Sequence, residues 1–134
     1  MKVVIDTNVV LDLLLDRAPH ADAAARLFAQ VEAGLLPACL CATTVTTIHY
    51  IAEKTVGDRA ARAHVARLMS MLELAPVTRQ VIEHALASPM ADFEDAVLAH
   101  AARLAGAQAI ITRNERDFQH GPLRVYNPAQ WLAA

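Results

Sequence analysis

Short β-branched runs alternate with Ala-rich, helix-periodic segments along the whole chain, and this alternation leaves few folds open. Strands separated by helices must be joined by right-handed crossovers, which gives a parallel sheet covered by helices. Val3-Val4-Ile5 is continuously apolar, as a strand buried on both faces should be. Thr7 and Asn8 are helix-capping residues, and residues 9–15 continue as an apolar helical stretch around Asp12. After a break at residues 17–20, residues 21–33 put Leu27, Phe28 and Val31 on one helical face and stop at Gly34. Residues 39–42 form a second strand, and the threonines at 43, 44, 46 and 47 lead into a helix over 48–55 that Gly57 ends. Asp58 is the expected cap of a third amphipathic helix through Ala61, Val65, Leu68 and Leu72. Residues 74–77 read as a short strand whose Pro76 demands an edge or an end position. Thr78 and Asp92 cap two more helices, the second stopping at Gly106. Residues 108–112 are the next buried strand, 114–118 a helical turn and 123–126 the last strand, and Pro128 opens a terminal helix. No repeat or linker interrupts the pattern, so a single α/β domain over residues 1–134 is expected.

What the chain lacks narrows its chemistry. Its hydrophobic fraction of 55% and net charge of −2 exclude a disordered chain. Charged residues or histidines interrupt every apolar run before the roughly 18 residues of a membrane span, so no membrane association is expected. The start of the chain turns acidic too soon for a signal peptide, and Cys39 and Cys41 read as buried free thiols; a cytoplasmic location follows. A pI near 6.3 gives no general basic field for nucleic acid, so contact with RNA would need a local cationic patch or metal ions. Ser70 and Ser88 lie in no nucleophile elbow, and the four scattered glycines form no phosphate loop. The six histidines show no metal-ligand spacing.

Acidic residues, by contrast, fall where α/β sites are built. In open parallel sheets ligands bind beyond the carboxyl ends of the strands. Asp6 directly follows the first strand, with Asn8 close behind, and residues 112–117 directly follow the strand at Ile110-Ile111. A third group, Asp92, Glu94 and Asp95, opens a helix. Each group also has a purely structural reading as helix caps or as partners of the helix dipole. Together they repel one another and raise one another's pKa, and a divalent cation is the readiest compensation. Ligands that are all oxygen favour Mg²⁺ or Mn²⁺ over zinc, and such ions serve phosphodiester hydrolysis.

These residues resemble the motifs of a known family. Residues 4–9, Val-Ile-Asp-Thr-Asn-Val, look like the first motif of PIN domains, which include the VapC-type toxins of toxin–antitoxin pairs. Residues 92–97 followed by Ala99, Ala101 and Ala102 are similar to the third motif, and residues 111–118 to the last. The resemblance covers nearly the whole chain. It implies a three-layer α/β/α sandwich with a central, mostly parallel sheet. It also implies a Mg²⁺- or Mn²⁺-dependent endoribonuclease acting on single-stranded RNA. Carried over by motif, Asp6, Asp95 and Asp117 are the catalytic, metal-binding acids. Asn8, Thr112 and Asn114 are polar support, and Glu94 has a part not separable from that of Asp95. Arg113, Arg116 and Lys54 are candidate contacts to the RNA backbone, with solvated surface charge as the alternative. An antitoxin protein occluding the acidic pocket and a homodimer are implied as partners.

One position departs from the family pattern. PIN domains place a glutamate early in the helix after the second strand, and Thr47 stands at about that place here. Glu53, six residues further on, lies roughly 9 Å along a helix and does not substitute for it. The neutral residue motivates a competing expectation, a PIN-like interaction module whose catalysis is weakened.

Overall fold

The computed structural model describes residues 1–134. Five parallel strands, β1 (Val3–Ile5), β2 (Ala38–Cys41), β3 (Glu73–Ala75), β4 (Ala109–Ile111) and β5 (Arg124–Tyr126), pair in the order β3-β2-β1-β4-β5. Eight helices complete the chain: α1 (Thr7–Leu14), α2 (Ala21–Glu32), α3 (Ala42–Val56), α4 (Asp58–Met71), α5 (Arg79–Leu86), α6 (Phe93–Leu104), α7 (Glu115–Phe118) and α8 (Pro128–Ala133). None of them is long and apolar enough to cross a membrane.

The central strands are apolar at every position because both of their faces are covered. Val3 and Ile5 of β1, Ala38 and Leu40 of β2, and Ala109 and Ile111 of β4 pack with Val9, Leu27, Ile48 and Leu68 of α1–α4. The alternate residues Val4, Cys39, Cys41 and Ile110 face Val81 and Ala85 of α5 and Val97, Leu98 and Ala101 of α6. Two cores on opposite sides of one sheet make the α/β/α sandwich, with every strand pair parallel. Both cysteines are buried and unbridged, and burial pushes the Cys39 thiol up to about 11.

Three local expectations change. The threonines at 43–47 lie inside α3, which already begins at Ala42. The Thr44 hydroxyl donates to the Cys41 carbonyl at 2.8 Å, so a side chain closes the first turn. Asp58 is the first residue of α4, not its cap; Gly57, at φ +85°, holds the cap position and the Asp58 carboxylate goes to His49 and Arg62. β3 runs over Glu73–Ala75, ending before Pro76 rather than including it, and lies at the sheet edge.

The strand order sets the place of a site. From β1 the chain winds outward through β2 to β3, then crosses back to β4 and on to β5. The direction of winding reverses between β1 and β4, and crevices open at such a switch point.

Candidate active site

Asp6 sits where β1 becomes α1. Its N–H donates to the Ile111 carbonyl at 3.0 Å, continuing the sheet, while its Oδ1 accepts the Thr7 N–H at 2.8 Å and caps α1. The other oxygen, Oδ2, accepts from the Thr112 hydroxyl at 2.7 Å and from Asn8 Nδ2 at 3.2 Å. Thr112 is fully buried just past β4, and its oxygen also accepts the Asn114 N–H at 2.9 Å. The Arg113 N–H donates to Asn8 Oδ1 at 3.2 Å. These bonds stitch the turn after β1 to the turn after β4, across the switch point.

Asp95 comes from the other helical layer, on the first turn of α6, where its N–H is taken by the Asp92 cap at 2.9 Å. Asp117 comes from α7. Asp6, Asp95 and Asp117 line one open cleft of about 350 Å³, together with Asn8, Glu94 and Asn114. Leu11, Ile51 and Leu98 supply its apolar wall.

The electrostatics follow from this convergence. Burial pushes the Asp6 carboxyl above its ordinary range and Asp117 adds to the rise; hydrogen bonds from Thr112 and Thr7 and the charge of Arg113 oppose it. Burial also raises Asp95, and the negative charges of Asp92, Asp6, Asp117 and Glu94 add to this, taking it to about 7. A carboxyl whose surroundings favour a bound proton to that degree favours a bound cation for the same reason. With oxygen donors throughout, the cleft suits a hard divalent cation.

The remaining sequence candidates divide. Arg113 lines the cleft, but its guanidinium is held by Asp12, with Nε at 2.6 Å from Oδ2. Arg116 is exposed on α7 outside the cleft lining. Lys54 also lies outside it, its Nζ 4.2 Å above the Tyr50 ring. Thr47 does line the cleft, and Glu53 does not. Glu53 instead joins His49 and Asp58, whose ligand atoms converge within 4.8 Å between α3 and α4. Arg62 Nε already contacts both Asp58 oxygens, at 3.0 and 2.9 Å, and this pair leads the lowering of the Asp58 pKa, with His49 adding to it. That cluster is a hydrogen-bonded tie between two helices, through His49 Nε2 and Asp58 Oδ1 at 2.8 Å.

Sequence reasoning passed over Arg17 and the full role of Asp12. Arg17 lines the cleft and donates through Nε to Asp12 Oδ1 at 3.0 Å. The available signal was Asp12 itself, a lone charge in the apolar stretch 9–15, where a buried carboxylate must find partners.

The family model for the PIN domain matches residues 2–116. No curated protein matches the chain in sequence. Among solved structures, the fold is similar to VapBC2 from Rickettsia felis, bound to a DNA fragment from its promoter. That likeness has a TM-score of 0.73 at 15% identity and covers 95% of this chain and 98% of the other. A toxin–antitoxin complex from Klebsiella pneumoniae gives 0.71 at 21% identity, covering 94% and 97%. VapC20 from Mycobacterium tuberculosis, a toxin that cleaves the sarcin–ricin loop, gives 0.64 at 22% identity, covering 81% and 86%.

Proposed function

The chain belongs to the PIN-domain family, and from that premise we propose that it is a metal-dependent endoribonuclease of single-stranded RNA, the toxin of a toxin–antitoxin pair. The observation that carries this reading is the convergence of Asp6, Asp95 and Asp117, from three separate motifs, on one cleft. In the proposed mechanism Asp6, Asp95 and Asp117 would hold Mg²⁺ or Mn²⁺, which when bound would supply activation of a water and stabilisation of the charge developing on a phosphodiester. Thr7, Asn8 and Thr112 fix the orientation of Asp6 at the cleft. Asn114 and Glu94 extend the polar floor, and Leu11, Ile51 and Leu98 offer an apolar side against which unstacked bases lie.

Cleavage of labelled single-stranded RNA, with Mg²⁺ or Mn²⁺ and with EDTA, tests the proposal. Cleavage with the ions, lost with EDTA and lost in Asp6→Asn, is expected. Equal cleavage under all conditions would sink the metal mechanism.

The similarity to toxin–antitoxin complexes motivates an antitoxin partner. An arginine-bearing segment of that partner would replace the metals' positive charge beside Asp6, Asp95 and Asp117. Inhibition by a basic peptide should therefore weaken as Mn²⁺ rises. A homodimer is proposed as well, and light scattering that returns a mass near 14.5 kDa at tens of micromolar would remove it.

Thr47 in the cleft favours a second reading, a binding module with weakened catalysis. Calorimetric titration separates the two. A folded chain that takes up no Mn²⁺ at millimolar concentration is the module.

A further inference from the structure

We propose that Arg17 and Arg113 form a phosphate-binding subsite on the cleft wall, preset by the buried carboxylate of Asp12, an inference that rests on the nuclease reading. Asp12 is 1% exposed and lies on α1 beside the buried Val9, Val10 and Leu11. A carboxylate there requires charged partners, because removing it from water uncompensated costs several kcal/mol or more. It has two. Oδ1 accepts from Arg17 Nε at 3.0 Å and from Arg113 Nη2 at 3.1 Å, and Oδ2 accepts from Arg113 Nε at 2.6 Å.

One guanidinium would neutralise Asp12; the second leaves the trio with a surplus positive charge. That surplus sits in a cleft otherwise lined by Asp6, Glu94, Asp95 and Asp117, so it is the wall's own cationic element. The hydrogen bonding also leaves one edge of each arginine free. Arg113 spends Nε and Nη2 on Asp12, and Arg17 spends Nε on Asp12 and Nη2 on the Asn8 carbonyl at 3.2 Å. The Nη1 atom of each has no protein acceptor. With side chains 39% and 29% exposed, Arg17 and Arg113 both line the cleft.

A planar fork with two parallel N–H donors matches the two free oxygens of a phosphodiester. Because Asp12 already restrains both side chains, little rotamer freedom is lost when the phosphate docks. The subsite therefore takes an RNA backbone phosphate next to the one held for cleavage. It grips the strand without reading bases.

The test uses the full chain and a labelled single-stranded RNA oligonucleotide. Arg17→Lys and Arg113→Lys keep the charge and lose the fork, so KM should rise about tenfold with kcat nearly unchanged. In Arg17→Gln the slope of log affinity against log salt should fall by about 0.7, the value for one phosphate contact on a single strand. Asp12→Asn leaves both arginines in place but unrestrained, and should raise KM in the same way. Should Asp12→Asn fail to fold by circular dichroism, the two lysine variants decide alone. Unchanged KM and salt slope in variants that melt like wild type would overturn the subsite and leave the nuclease reading intact. If the wild type cleaves no RNA, the nuclease reading fails. Fluorescence anisotropy with the same RNA in EDTA then decides the subsite, weaker binding by Arg17→Lys supporting it and equal binding overturning it.

Discussion

The hydroxyl of Thr112 donates to Oδ2 of Asp6 across 2.7 Å, joining the end of β4 to the end of β1 where the sheet reverses its winding. The bond is buried and lies 106 residues apart in sequence. It also lowers the pKa of an aspartate that burial raises. Thr112 thus opposes the effect of burial on Asp6 and fixes its orientation, which is the support a metal-binding carboxylate needs.

Thr112→Val tests this at nearly constant volume. Losing a donor to a metal-binding carboxylate typically costs about 10–100-fold in affinity or activity, and that range is expected for Mn²⁺ binding by calorimetry. Stability should fall by about 1–3 kcal/mol in urea, since a buried carboxylate loses a partner. Wild-type Mn²⁺ affinity in the variant would show that Asp6 is held well enough by Thr7 and Asn8.

A pH effect is expected outside the cleft lining. His100 on α6 has a lowered pKa, mainly through burial and then through His84 and Arg103. Its ring stacks on His84 of α5 at 5.8 Å between centroids, its Nε2 is buried without a partner, and His120 lines the same pocket. The folded state therefore binds this proton less readily than the unfolded chain. The associated stability is fully present above the ordinary histidine value of 6.5 and is lost as pH falls through the lowered folded value. Between pH 7.5 and 5.5 the melting temperature of His100→Leu should drop less than that of the wild type. Equal drops would assign the pH effect to other groups.

Gly121 is expected to resist even one methyl group. A Cβ there would stand 2.8 Å from Met90 Sδ and 3.2 Å from the Phe118 carbonyl oxygen. The methionine can turn away, but the backbone oxygen cannot. Gly121→Ala should cost about 1–3 kcal/mol by overpacking, read as a lower urea midpoint at an unchanged slope. No change would mean that the segment after α7 shifts freely.

The sheet was legible because burial on both faces writes itself as continuous apolar runs, as at Val3–Ile5 and Ala109–Ile111. The caps Thr78 and Asp92 were legible for a local reason: each accepts an N–H three residues on, within its own first turn. Where a side chain's partner lay in another element, local reading failed. Asp58 has the chemistry of a cap, yet Arg62 and His49 take its carboxylate. The threonines of α3 have weak helix propensity, and burial of Thr44 and Ile48 overrides it. At the candidate site the acids stood out by motif, whereas the Asp12 trio did not. Asp12 and Arg113 meet only after the sheet brings residues 101 positions apart together.

Thr47 offers the most direct engineering of the cleft. It is half-buried on α3, one turn after Thr44, and lines the cleft with Asp6, Asp95 and Asp117. Glutamate at this position would add a fourth carboxylate on the side of the cleft that α3 forms. Affinity of an oxygen site for a divalent ion rises with the number of charged ligands, so Mn²⁺ should bind about tenfold more tightly to Thr47→Glu. RNA cleavage at limiting Mn²⁺ should rise with it. Without metal the added charge joins a cleft that also holds Asp95, whose carboxyl burial and neighbouring acids already push up to about 7. The metal-free variant should therefore melt below the wild type and recover more than the wild type does when Mn²⁺ is added. That pairing of effects, weaker when empty and stronger when loaded, separates a ligand from a bystander. A variant with unchanged Mn²⁺ affinity would place the new carboxylate outside the reach of the ion.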